Sequence, residues 1–222
     1  MYALAPQPEV HVKPKFRGVS HQIAFFVFVA LGIGLISFAP GGRARVAVTI
    51  YSVCMAGMFG VSAAFHRHSW SPPARRRMRR LDHSMIFAAV AGTYTPIAVL
   101  ALHGVTRAVI LWLAWLGAAA GVVLKLLWLD APKWVIAVVY VALGWAAIGV
   151  VPELTHTAGV GAILLLLIGG LLYTIGAVVY ALRRPDPRPT VFGYHEVFHA
   201  LVIMAALCHW ALVAFFVMEL PA

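Results

Sequence analysis

His195 and His199 stand four residues apart near the start of the last apolar stretch of the chain, in Gly193-Tyr194-His195-Glu196-Val197-Phe198-His199. On a helix that spacing stacks both imidazoles on one face, one turn apart. Polar and ionisable groups at membrane depth cost on the order of 2.5 to 3.5 kcal/mol each even on lenient insertion scales, so such a pair requires compensation. Metal coordination supplies it. Upstream, His66 closes the second apolar stretch, Ser62 precedes it by one helical turn, and Asp82 opens the third in Leu81-Asp82-His83. Three neutral nitrogens from His66, His195 and His199 leave a fourth tetrahedral position for water, which is the ligand pattern of a catalytic zinc site. Asp82 is then placed to hold and deprotonate that water, or to orient a ligand imidazole. Its plainer reading is an N-cap of the third stretch, where a carboxylate satisfies free backbone N–H groups.

The other candidates carry less chemistry. His209 falls ten residues beyond His199, about 15 Å along a helix, so it lies too deep for the same metal and is expected to hydrogen-bond a neighbouring helix. His68 and His83 sit beside loops. His11, His21, His103 and His156 fall at terminal or loop positions where a solvated ring needs no function. Glu153 and Glu219 read as surface charges, and Cys54 and Cys208 as buried apolar thiols inside the spans. Ala91-Gly92-Thr93-Tyr94-Thr95-Pro96 joins small residues, hydroxyls and a proline, a pattern for close helix packing with a kink and a candidate wall for a cavity.

The elements that must position these residues are membrane spans. Of 222 residues, 63% are hydrophobic and 11% charged, with a mean hydropathy of +0.92; no soluble domain has this composition. Apolar stretches matched to bilayer thickness run over about 22–38, 44–65, 85–102, 109–129, 134–151, 161–182 and 194–218, each gap holding a charge cluster, Gly or Pro. The expected fold is all-α: a polytopic integral membrane protein, a bundle of seven transmembrane helices forming one domain over 1–222, with a tail at 1–21 and the bundle at 22–218.

Lys13, Lys15, Arg17, Arg67, the run Arg75 to Arg80, Lys133, Arg183, Arg184 and Arg188 fall on one side of this topology; Arg43, Arg45 and Arg107 fall on the other. Positive residues are retained inside, so the N-terminus is expected in the cytoplasm, the C-terminus outside, and the His-bearing ends near the cytoplasmic leaflet of the plasma membrane. Lys125 is expected to snorkel to that same side. The formal charge of +10 follows from these loops and from anionic lipid headgroups, not from nucleic acid, for which no module is present.

Ser62-x-x-x-His66, Asp82, the Ala91 to Pro96 stretch and His195-x-x-x-His199 together resemble the motif set of the progestin and adipoQ receptor family, most closely its bacterial hemolysin III-type branch. The resemblance covers nearly the whole chain. It implies a seven-helix bundle with zinc near the cytoplasmic leaflet on His66, His195 and His199, Asp82 fixing the bound water and Ser62 nearby. Through similarity to the wider superfamily that includes alkaline ceramidases, it implies a zinc-dependent hydrolase of a ceramide-type lipid amide acting in membrane homeostasis. Membrane lipids are then the partners. Two other readings stand beside it: a non-enzymatic receptor or homeostasis protein in which the zinc is structural, and an intramembrane protease, because His195-Glu196-x-x-His199 spells H-E-x-x-H with Glu196 as base.

Overall fold

The computed structural model describes residues 13–220. The expected tail therefore lies outside the described residues up to residue 12, His11 included. The described chain is helical, with one isolated bridge pairing Arg188 and Phe192 and no sheet. Its helices are α1 (Val19–Phe38), α2 (Gly42–Arg67), α3 (Pro72–Pro96), α4 (Gly104–Leu127), α5 (Lys133–Trp145), α6 (Val151–Leu182) and α7 (Tyr194–Leu212). Six stretches are long and apolar enough to cross a membrane, because α5 and α6 run together over the 50 residues Lys133–Leu182.

That stretch folds back on itself. A straight 50-residue helix would be about 75 Å long, more than twice a bilayer core, whereas the Trp145 indole donates to Thr174 Oγ1, 29 residues on, at 2.9 Å. The reversal falls at Gly159, whose backbone leaves the helix at φ 78 and ψ 176, midway between those two residues, while Ala146–Val150 is a short 3-10 segment within the first limb. Backbone groups freed inside lipid must be satisfied within the protein, and Tyr94 of α3 does this here. Its hydroxyl donates toward Gly144 O at 2.6 Å and Leu143 O at 3.1 Å, and accepts from Ala147 N–H at 2.7 Å. Pro152, expected to end the fifth stretch, instead sits in the first turn of α6, where its missing N–H costs nothing.

Two further boundaries differ from expectation. Helix α1 begins at Val19, ahead of residue 22. Helix α3 begins at Pro72, so the Arg-rich stretch expected as a loop forms its first turns; Pro in the opening turn and successive Arg residues both favour helix there. Asp82 consequently lies ten residues inside α3 and is no N-cap; Ser71 occupies that position. Beyond Pro96 the helix widens into a π-helical turn over Ile97–Ala101, the expected kink at a residue with no N–H to give. Two buried apolar clusters form the core, one around Phe87, Tyr94 and Leu154, the other around Phe28, Tyr51 and Phe59. Leu and Trp side chains such as Trp112, Leu116 and Leu171 face outward, as a lipid-facing surface requires.

Candidate metal centre

Helix α7 is set by its first turn. Glu196 Oε2 accepts the Gly193 N–H at 2.8 Å, and Asp186 accepts the Tyr194 N–H at 2.8 Å, so two free amides at the helix start are satisfied by carboxylates. The other Glu196 oxygen pairs with Arg17, which precedes α1. Glu196 is 1% exposed, and both of its oxygens are committed. The residue that the H-E-x-x-H string offers as a base is thus a helix-capping and ion-pairing group.

This start aims His195 and His199 at His66 from the last turn of α2. The ligand nitrogens of His66, His195 and His199 all lie within 4.8 Å of one another, and His195 Nε2 is 3.1 Å from His66 Nε2. Three nitrogens around tetrahedral zinc would be about 3.3 Å apart, so the three rings lie within metal-binding distance. The donor set fits such an ion. Neutral imidazoles are good ligands, no carboxylate neutralises the cluster as imidazolium because Glu196 is engaged elsewhere, and His199 Nδ1 is buried with no hydrogen-bond partner.

A fourth ring joins them. His21 of α1 is 2% exposed and stacks on His199 with ring centroids 3.6 Å apart and planes 9° from parallel. Its Nδ1 lies 2.8 Å from Ser62 Oγ. The expected solvated terminal histidine is instead at the centre of the site. The signal was present in the sequence: His21, Ala24, Phe28 and Leu35 recur at helical spacing and are the buried face of α1. Gly18 makes this approach possible. Its φ of +82 suits glycine, and a Cβ there would meet His66 Cβ at 2.6 Å.

Ser62 and Asp82 face each other beneath the rings and line the same cavity of about 190 Å³ as His66, His195 and His199. Asp82 Oδ2 is 3.4 Å from His83 Nδ1, whose ring also meets Arg79 O at 2.8 Å. His83 is accordingly part of the cavity wall and not a loop side chain. Thr93 and Tyr94 line it too, as the Ala91 to Pro96 stretch suggested. His209 lines the far end, with Nε2 3.3 Å from Leu166 O, the neighbouring-helix contact expected of it. His68, His103 and His156 are exposed. Glu153 meets the His103 N–H at 2.7 Å. Cys54 and Cys208 are free and half-buried. Lys125 points to the expected end of the bundle, its ammonium donating to Leu129 O in the α4–α5 connection at 3.0 Å, but the residue is 2% exposed and lines the cavity.

Fold and site together define a multi-pass helical membrane protein with a histidine cluster at one end of its bundle. The chain belongs to the haemolysin-III-related family, whose model matches residues 10–210. It is 26% identical to the hemolysin-3 homolog of Bacillus subtilis over 208 residues, covering 92% of this chain and 94% of that one. It is 28% identical to hemolysin-3 of Bacillus cereus, covering 91% and 90%. The human monocyte to macrophage differentiation factor is 26% identical over 170 residues, 75% of this chain and 68% of that protein. The resemblance carried by the motifs is therefore borne out along the chain.

Proposed function

We propose that the chain is a zinc-dependent hydrolase of a lipid amide of the ceramide type, with zinc held by His66, His195 and His199. The observation that carries this is the meeting of those rings with Asp82 and Ser62 at the head of a largely apolar cavity. Bound there, zinc would supply a Lewis acid for the amide carbonyl and make water more acidic. Asp82 accepts the proton of the attacking water as the C–O bond forms, then returns it to the amine nitrogen as the C–N bond breaks. Ser62, steadied by His21 at 2.8 Å, donates toward the developing oxyanion. The apolar walls hold the acyl chain.

The second reading is a membrane-homeostasis receptor with structural zinc, favoured by one observation: the ligand rings come from two helices, so an ion there would tie α2 to α7, with His21 of α1 stacked on His199. Glu196 speaks against the protease, since Arg17 and the Gly193 amide occupy its carboxylate. In either reading the bundle crosses the plasma membrane seven times, 133–158 and 160–182 as separate passes on either side of Gly159, with the His-bearing end at the cytoplasmic leaflet.

Metal analysis of the purified chain and of His199→Ala, followed by incubation of both with ceramide-type lipids, tests the reading. About one zinc per chain with amide cleavage, both lost in His199→Ala, is expected. Wild type without stoichiometric metal sinks both zinc readings; metal present, with unfolding on its removal and no lipid cleaved, selects the structural one.

A further inference from the structure

Three cations converge where α3, α4 and α5 meet at the His-bearing end of the cavity. Lys125, Lys133 and Arg79 all line it, and all three lie within electrostatic reach of His83. Lys133 Nζ donates to the Tyr194 hydroxyl at 3.0 Å and lies over the Tyr180 ring at 4.3 Å. Arg79 pairs with Asp130 at 2.8 Å, on the water side where Asp130 is 81% exposed. Retention of positive charge on one face of a membrane accounts for Lys133 and Arg79. It accounts for the end at which Lys125 lies but not for its burial. That residue is 2% exposed, and the one hydrogen-bond partner of its ammonium among the described residues is a carbonyl. A buried ammonium without a carboxylate costs several kcal/mol. The acidic groups around it are used: Asp130 by Arg79, and Asp82 beside His83 and Ser62.

Three cations facing a low-dielectric cavity repel one another and attract an anion. The ammonium groups of Lys125 and Lys133 are compact point donors of the kind that bind phosphate, and the tyrosine hydroxyls of Tyr140 and Tyr194 add polar groups at the same mouth. Below them the walls turn apolar, with Ile86, Val90, Ile97 and Leu166. We propose that this mouth is a subsite for the phosphate-type anionic headgroup of a single-chain amphiphile whose alkyl chain fills the apolar cavity. This rests on reading the cavity as a lipid site, and it makes an acidic single-chain lipid the regulator of that site, distinct from the uncharged amide proposed as its substrate.

Binding of 1-oleoyl-lysophosphatidate and of monoolein, which share a chain and differ by one phosphate, is measured by native mass spectrometry on the full chain in phosphatidylcholine nanodiscs. Wild type is expected to prefer lysophosphatidate at least tenfold, and Lys125→Met/Lys133→Met to reduce that preference to within twofold while monoolein binding stays unchanged. Where the double variant fails to fold, Lys133→Gln alone carries the test, with an expected loss of threefold or more. Equal binding of the two lipids by wild type, or a preference undiminished in the variants, overturns the proposal. Inorganic phosphate displacing lysophosphatidate at equal concentration overturns it as well, since the subsite would then read a free anion. Neither zinc nor turnover enters the measurement, so its failure leaves the hydrolase reading standing, and failure of that reading leaves this result intact.

Discussion

At the scale of single residues, the most conspicuous sequence string is also the most misleading. Glu196 completes H-E-x-x-H, yet the carboxylate of a residue at the third position of a helix can turn back to its own first turn, and here it does so while the other oxygen meets Arg17. Its role is to fix the angle at which α7 enters, and with it the aim of His195 and His199. Glu196→Gln keeps one hydrogen bond and loses the ion pair, so it should cost roughly 1–3 kcal/mol. The thermal midpoint should fall by several degrees with zinc stoichiometry retained. Asp82→Asn should do the reverse, keeping the midpoint and losing amide cleavage by at least a hundredfold, as expected of a general base. Thermal unfolding, metal content and turnover on the two variants check this; cleavage abolished by Glu196→Gln and kept by Asp82→Asn would reverse the assignment. The His195/His199 pair was legible from spacing alone because a helix turn imposes it. His21 was not read, because a polar residue ahead of an apolar run ordinarily marks a membrane interface.

At the scale of elements, what brings α2 and α3 into register is a contact well away from the chemistry. A Cβ on Gly92 would meet Cys54 Cβ at 2.6 Å, so the two helices touch there through the absence of a side chain. Counting back along antiparallel helices, Ser62 lies eight residues from Cys54 and Asp82 ten from Gly92, about 12 and 15 Å at standard rise. The glycine contact thereby sets Ser62 opposite Asp82. Gly92→Val should destabilise by about 1–3 kcal/mol through overpacking and lower catalysis at unchanged zinc content, because His66 and α7 do not depend on that contact. Gly34→Ala, with nothing within 4 Å of the new methyl, should be neutral or stabilise by up to about 1 kcal/mol; thermal unfolding and turnover of both variants test the contrast. The small-residue pattern in Ala91 to Pro96 was enough to announce close packing. The sequence could not announce which face of α4 carries Lys125, since a lysine near a helix end fits snorkelling and burial equally well, and only the position of α5 decides between them.

At the scale of the whole molecule, the chain places every cation-rich connection at the His-bearing end. The segment before α1 is tied there too, with Lys15 N–H bonded to Thr190 O at 3.1 Å and Phe16 N–H to Val191 O at 3.2 Å, so the α6–α7 connection and the N-terminal approach form one strap beside the histidines. The sequence separated the spans at 134–151 and 161–182 by the polar stretch after Pro152, but it could not show that the helix runs on through Pro152 and reverses only at Gly159, because Tyr94 from another element steadies the 3-10 segment before it. If 133–158 and 160–182 are separate passes, His156, just ahead of the reversal at Gly159, lies at the same end of the bundle as Pro40 and Val105. Ser71 and Pro187 lie at the other. Single cysteines at these five exposed positions, in a chain with Cys54 and Cys208 replaced by alanine, should divide accordingly. Membrane-impermeant maleimide applied to intact cells should label Pro40→Cys, Val105→Cys and His156→Cys, and label Ser71→Cys and Pro187→Cys only after permeabilisation. Protection of His156→Cys under both conditions would mean that Lys133–Leu182 does not turn at the outer surface. A fully inverted pattern would keep seven passes and place the histidines on the outside, which the distribution of Lys and Arg argues against.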